Sequence, residues 1–209
     1  MPLGEIAEIR RGITSGCDAF FMPHDITNWA LQAARSGPEF KERFGVDREA
    51  VSCGAIRIVR AGDGSEHPIE AKYLATEFHS LRDFQRCVVS TSDCDRVILL
   101  VKESLAALSK TLVARYLRYG ETHTFESRKS NPVPVPRRST CAAREPWYDL
   151  TKAVKPGIVF LAVAHHYRHV IPSNPEALVC NHRMFDIVAR ENVNGRVLAA
   201  ILNSTVVGL

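Results

Sequence analysis

The chain has 209 residues, 45% of them hydrophobic, with 27 basic and 23 acidic side chains and a net charge of +4. That length buries a core as one large domain or two small ones, and the absence of any run of about 18 apolar residues excludes a membrane-spanning helix. The opening MPLGEIAEIRR is neither a signal nor a transit peptide, and cysteines at 17, 53, 87, 94, 141 and 180 show no Cys-x-x-Cys spacing, so reduced, mostly buried thiols in a cytoplasmic protein are expected.

In chain order, Leu3–Arg10 is apolar at 3, 6 and 9 and suits a strand or a short helix. RRGITSGCDAFF, Arg10 to Phe21, then runs two arginines into a loop with glycines at 12 and 16, and Phe20–Met22 reads as the start of a second strand. Trp29, Leu31, Ala33 and Ala34 favour a short helix. Ser36-Gly37-Pro38 breaks it, and Pro38 opens another that ends near Gly45. Ala55–Arg60 (AIRIVR) alternates like a half-buried strand, and Ala61–Pro68 is a turn or loop. Val88–Val89 and Val97–Val101 read as strands, the second buried on both faces. Leu105, Leu108, Leu112 and Tyr116 fall at steps of three or four. They predict a core-packing helix over Glu103–Tyr119, with Lys110, Arg115 and Arg118 off the stripe and Gly120 closing it.

Residues 121–146 read as a long, basic, proline-rich loop. Prolines at 132, 134 and 136 exclude a central strand and favour an extended polyproline segment. Residues 126–155 hold 7 basic and 3 acidic groups, as much net positive charge as the whole chain, which suits a polyanion-binding face. Ile158–Val163, Tyr167–Ile171 and Met184–Ala189 read as strands, with turns at Ser173–Pro175 and near Asn181, and Asn194–Ser204 as a final helix. The apolar ending Thr205–Leu209 follows that helix closely and points to a fragment of a longer protein. Without internal repeats or regular strand–helix alternation, the fold class expected is α+β: a largely antiparallel curved sheet, packed helices and long loops.

No Gly-x-x-x-x-Gly-Lys-[Ser/Thr] loop, Gly-x-Ser-x-Gly elbow or Gly-x-Gly-x-x-Gly fingerprint is present. A complete amino-methyltransferase site would need an Asn-Pro-Pro-aromatic run, and Asn131-Pro132 and Asn174-Pro175 both lack the second proline and the ring. Glu70-Ala71-Lys72 with Asp63 matches the acidic-plus-lysine set of a metal-dependent nuclease, in a poor strand context beside Gly62, Gly64 and Pro68. His165, His166, His169, Cys180 and His182 lie close together but in no zinc spacing, so they are expected to make polar or stacking contacts and to hold no metal. Arg10, Arg11, Arg128, Lys129, Arg137, Arg138, Arg144, Arg168 and Arg183 remain as candidates for phosphate or guanine contacts.

Three pieces carry a resemblance. The first is LGEIAEIRRGITSGCDAFF, with Gly12, Ser15, Gly16 and Phe21 at set spacing. The second is Pro146-Trp147-Tyr148-Asp149-Leu150 before the strand IVFLAV. The third is Val179-Cys180-Asn181-His182-Arg183-Met184-Phe185-Asp186-Ile187, followed by LAAILNST. In this order they resemble the target recognition domain of adenine-specific DNA methyltransferases of restriction–modification and phage-defence systems, over residues 3–209. SLAALSKTLVARYLRYGE is similar to a helix in the middle of such domains.

The resemblance implies a module that docks on duplex DNA, reads a short sequence and helps present a flipped adenine to a catalytic domain. That domain, with its S-adenosylmethionine pocket, is expected upstream in the parent protein, so neither catalytic residues nor a cofactor are expected in this chain. The residues it assigns to DNA are Arg10, Arg11, Gly12, Thr14, Ser15 and Gly16, then Arg128, Lys129, Arg137 and Arg138, then Arg168, and finally Asn181, His182 and Arg183. In that picture Gly12 and Gly16 take positive φ beside a phosphate. Thr14 and Ser15 offer hydroxyls, Phe20 and Phe21 anchor the loop, and Asp18 bonds its own turn or a cytosine amine. Two other readings stay open: a nuclease remnant built on Asp63, Glu70 and Lys72, and a module that docks on a partner protein.

Overall fold

The computed structural model describes residues 2–82, 84–126, 132–162 and 170–204. The fold is α+β. Its helices are α1 (Leu3–Ile6), α2 (Asp18–Phe21), α3 (Thr27–Ala33), α4 (Gly37–Phe44), α5 (Arg48–Ser52), α6 (Leu112–Thr122), α7 (Ser139–Ala142) and α8 (Gly195–Leu202). Its strands are β1 (Ala7–Arg11), β2 (His24–Asp25), β3 (Ile56–Arg60), β4 (Glu66–Glu70), β5 (Leu74–Phe78), β6 (Arg96–Leu99), β7 (Val159–Ala162), β8 (Val179–Cys180) and β9 (Met184–Ala189). The span 3–209, read from sequence as one domain, sorts into two compact units, each discontinuous. The first comprises Met1–Thr14, Thr76–Cys94 and Ala153–Leu209; the second comprises Ser15–Ala75 and Asp95–Lys152.

The first unit is built on an antiparallel sheet of order β1-β9-β7. Ala7 lies opposite Ala189, Arg11 opposite Phe185, and Val159 opposite Ile187. Leu198, Ala199 and Leu202 of α8 pack on Ala7, Val159, Ile171 and Ile187, removing them all from water. Asn194 starts α8 by accepting from the N–H groups of Arg196 and Val197, as its position before the apolar stripe predicts. A second apolar group joins Phe78, Val89, Phe160, Leu178, Cys180 and Met184, with the Phe78 and Phe160 rings stacked at 5.6 Å. Here β8 pairs in parallel with Glu77 and Phe78 of β5. Val88 forms only an isolated bridge to Ser173, not a strand. Val163 of the expected strand Ile158–Val163, and Tyr167, Arg168 and His169 of the expected strand Tyr167–Ile171, lie outside the described residues.

In the second unit β4, β3, β2 and β6 lie side by side in that order, all antiparallel. Helices α3, α4 and α5 bury Ala30, Phe40, Phe44 and Val51 against Ile26 and Ile58. Ser36 caps α4, Pro38 sits in its first turn, and Gly45 ends it at φ 70°, where a side chain is disfavoured. Val97, Ile98 and Leu99 of β6 are all buried, as their apolar run predicts.

Five local expectations are corrected here. Phe20 and Phe21 lie on the one-turn helix α2, not on a strand. Both rings are fully buried, whereas consecutive strand residues face opposite sides. Pro68 lies within β4, not in the preceding loop, because β4 is an edge strand. The expected helix Glu103–Tyr119 starts only at Leu112. The Thr111 hydroxyl accepts from the Ala114 N–H, and the Glu70 carboxylate accepts from the N–H groups of Leu112 (2.7 Å) and Val113 (2.9 Å), which fixes the helix start. Gly120 does not close α6 but lies inside it, where a Cβ would meet the Phe20 ring at 2.6 Å. The expected loop 121–146 also carries structure: the end of α6, a bridge from Thr124 to Pro134, a 3-10 turn over Val135–Arg137, and α7.

Candidate nucleic-acid interface

The candidate residues that the structure describes fall into two clusters, one in each unit. In the first unit, residues 10–13 are laced to residues 180–184 by backbone hydrogen bonds. Gly12 N–H donates to the Met184 carbonyl (2.8 Å), Ile13 N–H to Cys180 (2.9 Å) and His182 N–H to Ile13 (3.0 Å). Arg11 Nε donates to the His182 carbonyl at 3.0 Å, which plants the guanidinium base beside the 181–184 turn. Arg11 and Arg183 are exposed and His182 is half-buried, so one surface turn gathers two cations and an imidazole contributed by residues far apart in sequence.

Gly12 does not take the positive φ expected of it. Its lack of a side chain answers to close approach: a Cβ there would lie 2.2 Å from the Asn181 carbonyl oxygen and 2.7 Å from Cys180 Sγ. Arg10 pairs with Glu8 two residues away on the same strand, so its charge is locally balanced. Thr14 is exposed. Asn181 is fully buried, and its amide is committed within the unit, where its Oδ1 accepts from the Arg183 N–H at 2.9 Å. It shapes the turn that carries His182 and Arg183 and offers no edge to a base.

In the second unit Ser15 is fully buried. Its hydroxyl donates to Asp18 and accepts from the Cys17 N–H, a local turn that leads into α2 and uses Asp18 as the turn reading expects. Gly16 does adopt a left-handed φ, 86°. Two arginines of the basic segment point inward at this loop. Arg138 donates to the carbonyls of Phe125 (2.7 Å) and Gly16 (3.5 Å), and Arg144 donates to those of Ser15 (2.7 Å) and Trp147 (3.0 Å). Arg137 is exposed on its 3-10 turn. Phe20 stacks on Tyr116 at 4.5 Å and, with Phe21, contacts the Trp147 ring, so these phenylalanines do anchor the loop. Arg128, Lys129 and Arg168, like His165, His166 and His169, lie outside the described residues.

The carboxylates of the nuclease reading have other partners. Glu70 caps α6. Asp63 accepts from Ser65 and Tyr119 and pairs with His123 Nε2 at 2.8 Å, and the Lys72 ammonium lies over the Tyr73 ring. Among the described residues no group of three or more His, Cys, Asp or Glu side chains is arranged to hold a metal ion. Of the six thiols, Cys17, Cys141 and Cys180 are buried, Cys94 is half-buried, and Cys53 and Cys87 are exposed.

Sequence reasoning missed two residues behind the 181–184 turn. Glu77 is fully buried at the end of β5, and His79 Nδ1 lies 3.1 Å from both of its carboxylate oxygens. The signal available was slight: an acid beside Phe78 at the end of an apolar strand, followed closely by a histidine. No protein-family model and no curated protein matches this chain.

Proposed function

We propose that this chain is the sequence-specific duplex-DNA recognition module of an adenine-specific DNA methyltransferase of restriction–modification or phage-defence type. In this reading it works in the cytoplasm, and a separate S-adenosylmethionine-dependent domain or subunit carries the chemistry on a flipped adenine. The observation that carries the reading is the lacing of residues 10–13 to residues 180–184. Two pieces of the resemblance that lie far apart in sequence meet there, and they bring Arg11, His182 and Arg183 to one exposed turn. Such a turn suits a phosphate or a groove edge: arginine forks onto phosphate or guanine, and the backbone beneath it is held by hydrogen bonds. Arg11, Thr14, His182 and Arg183 are the contact residues in this reading. Gly12 and Asn181 shape the turn, and Arg137 is a contact candidate in the other unit.

Fluorescence anisotropy with a labelled duplex tests it. Binding is expected at low salt and falls steeply as salt rises, and Arg11→Ala and Arg183→Ala are each expected to reduce the salt slope by about one. The absence of binding, both by this chain and by the chain joined to a catalytic partner, overturns the reading.

A further inference from the structure

The Glu77 side chain has no exposed surface. A carboxylate taken out of water is costly unless it is paired and hydrogen-bonded, and replacing a buried ionic group with apolar side chains is often neutral or stabilising. Stability alone therefore does not account for an acid at this position. Its partners show where its influence goes. His79 Nδ1 lies 3.1 Å from both oxygens and 2.9 Å from Asn181 Nδ2, so the imidazole nitrogen sits between the acid and the amide. Asn181 Nδ2 lies 3.1 Å from Glu77 Oε1 and 2.9 Å from both the carbonyl oxygen and Nδ1 of His79. The opposite orientation of the amide would set its oxygen against the Glu77 carboxyl and the His79 carbonyl and its nitrogen against the Arg183 N–H, so Glu77 is one of the groups that hold Asn181 facing this way. Facing this way, Asn181 Oδ1 accepts from the Arg183 N–H. Glu77 itself is held by the pairing of β5 with β8, where it lies opposite Val179.

We propose that Glu77 and His79 are positioning residues for the DNA-contacting turn: the buried pair orients Asn181, and Asn181 fixes the backbone that presents Arg183. This rests on the DNA-recognition reading. Neither residue touches the nucleic acid; both act through the turn.

The test combines amide hydrogen exchange with duplex anisotropy on the full chain, comparing wild type, Glu77→Ala, Arg183→Ala and the double variant. Glu77→Ala is expected to speed exchange of the Arg183 amide about tenfold or more, with the β3 and β4 amides unchanged, and to weaken duplex binding about tenfold. In the Arg183→Ala background the same substitution is expected to cost no further affinity, because its effect passes through Arg183. Unchanged protection of the Arg183 amide overturns the positioning role even if DNA binding is intact. So do independent, multiplying effects of the two substitutions on affinity. If Glu77→Ala frees the turn but wild type and Arg183→Ala ignore duplex alike, the recognition reading itself fails, and the role assigned to the pair fails with it. Should Glu77→Ala not fold, Glu77→Gln and His79→Gln carry the same comparison, each keeping a side chain of similar size.

Discussion

Gly12 and the Asn181 carbonyl approach so closely that a Cβ on Gly12 would stand 2.2 Å from the oxygen. The obstacle is backbone, not the tip of a flexible side chain, so relief requires the 10–13 and 180–184 segments to part.

Gly12→Ala is therefore expected to destabilise the protein by about 1–3 kcal/mol and, if the proposed DNA-recognition role holds, to lower duplex affinity. Gly4→Ala is the control, since a Cβ there meets nothing within 4 Å. Urea midpoints and anisotropy check both. Equal stability of the two variants would show that the segments move apart freely.

Glu70 ties the edge strand β4 to the start of α6 through two backbone N–H groups. Glu70→Ala removes this cap and is expected to cost about 1–2 kcal/mol in urea unfolding. The same variant examines the nuclease reading. Magnesium-dependent plasmid nicking that Glu70→Ala abolishes, with stability unaffected, would assign the carboxylate to chemistry.

Asp63 predicts an acid-sensitive contribution to stability. Burial raises its pKa, but hydrogen bonds from Ser65 and Tyr119 and the nearby His123 outweigh this and hold the carboxyl below its ordinary value of 3.8. A depressed folded value means the contribution is complete above the unfolded pKa and is lost as pH falls through the folded one. The difference in urea midpoint between wild type and Asp63→Asn is expected to shrink as pH falls from about 6 toward about 2. A constant difference across that range would refute the linkage.

Thiol reactivity reports on the packing directly. Cys17 is pushed up to about 11 by burial, and Cys180 is raised well above the usual thiol range by burial and by Asp186 and Glu77. A neutral-pH thiol reagent is expected to modify Cys53 and Cys87 rapidly in the native protein, and Cys17, Cys141 and Cys180 only on unfolding. Native labelling of Cys180 at the rate of Cys53 would contradict the burial.

Where local chemistry decides the backbone, the sequence is legible. Ser36, Pro38 and Gly45 bracket α4 within a few residues, and Asn194 starts α8 where its side chain can reach the first free N–H groups. The start of α6 is not legible in that way, because a carboxylate 42 residues away sets it. The side on which Phe20 and Phe21 lie depends on rings at 116 and 147. At the candidate site, Arg11 and Arg183 could be picked out as exposed cations from composition. Charge alone says nothing of direction, however. Arg138 and Arg144 sit in the same basic segment as Arg137 but bond their own unit's carbonyls. Glu77 and His79 gain their meaning only from Asn181, more than a hundred residues on.

The two units are threaded through one another along the chain. The stretch Arg10–Phe21 starts in one and finishes in the other, with Thr14 in the first and Ser15 in the second. No single cut in the polypeptide yields either unit whole. For inheritance this means that a single crossover between related genes cannot exchange one unit intact. Replacing the second unit requires Ser15–Ala75 and Asp95–Lys152 to change hands together, while the three segments around them stay behind. Change confined to one unit is therefore made by point substitution sooner than by exchange of whole blocks.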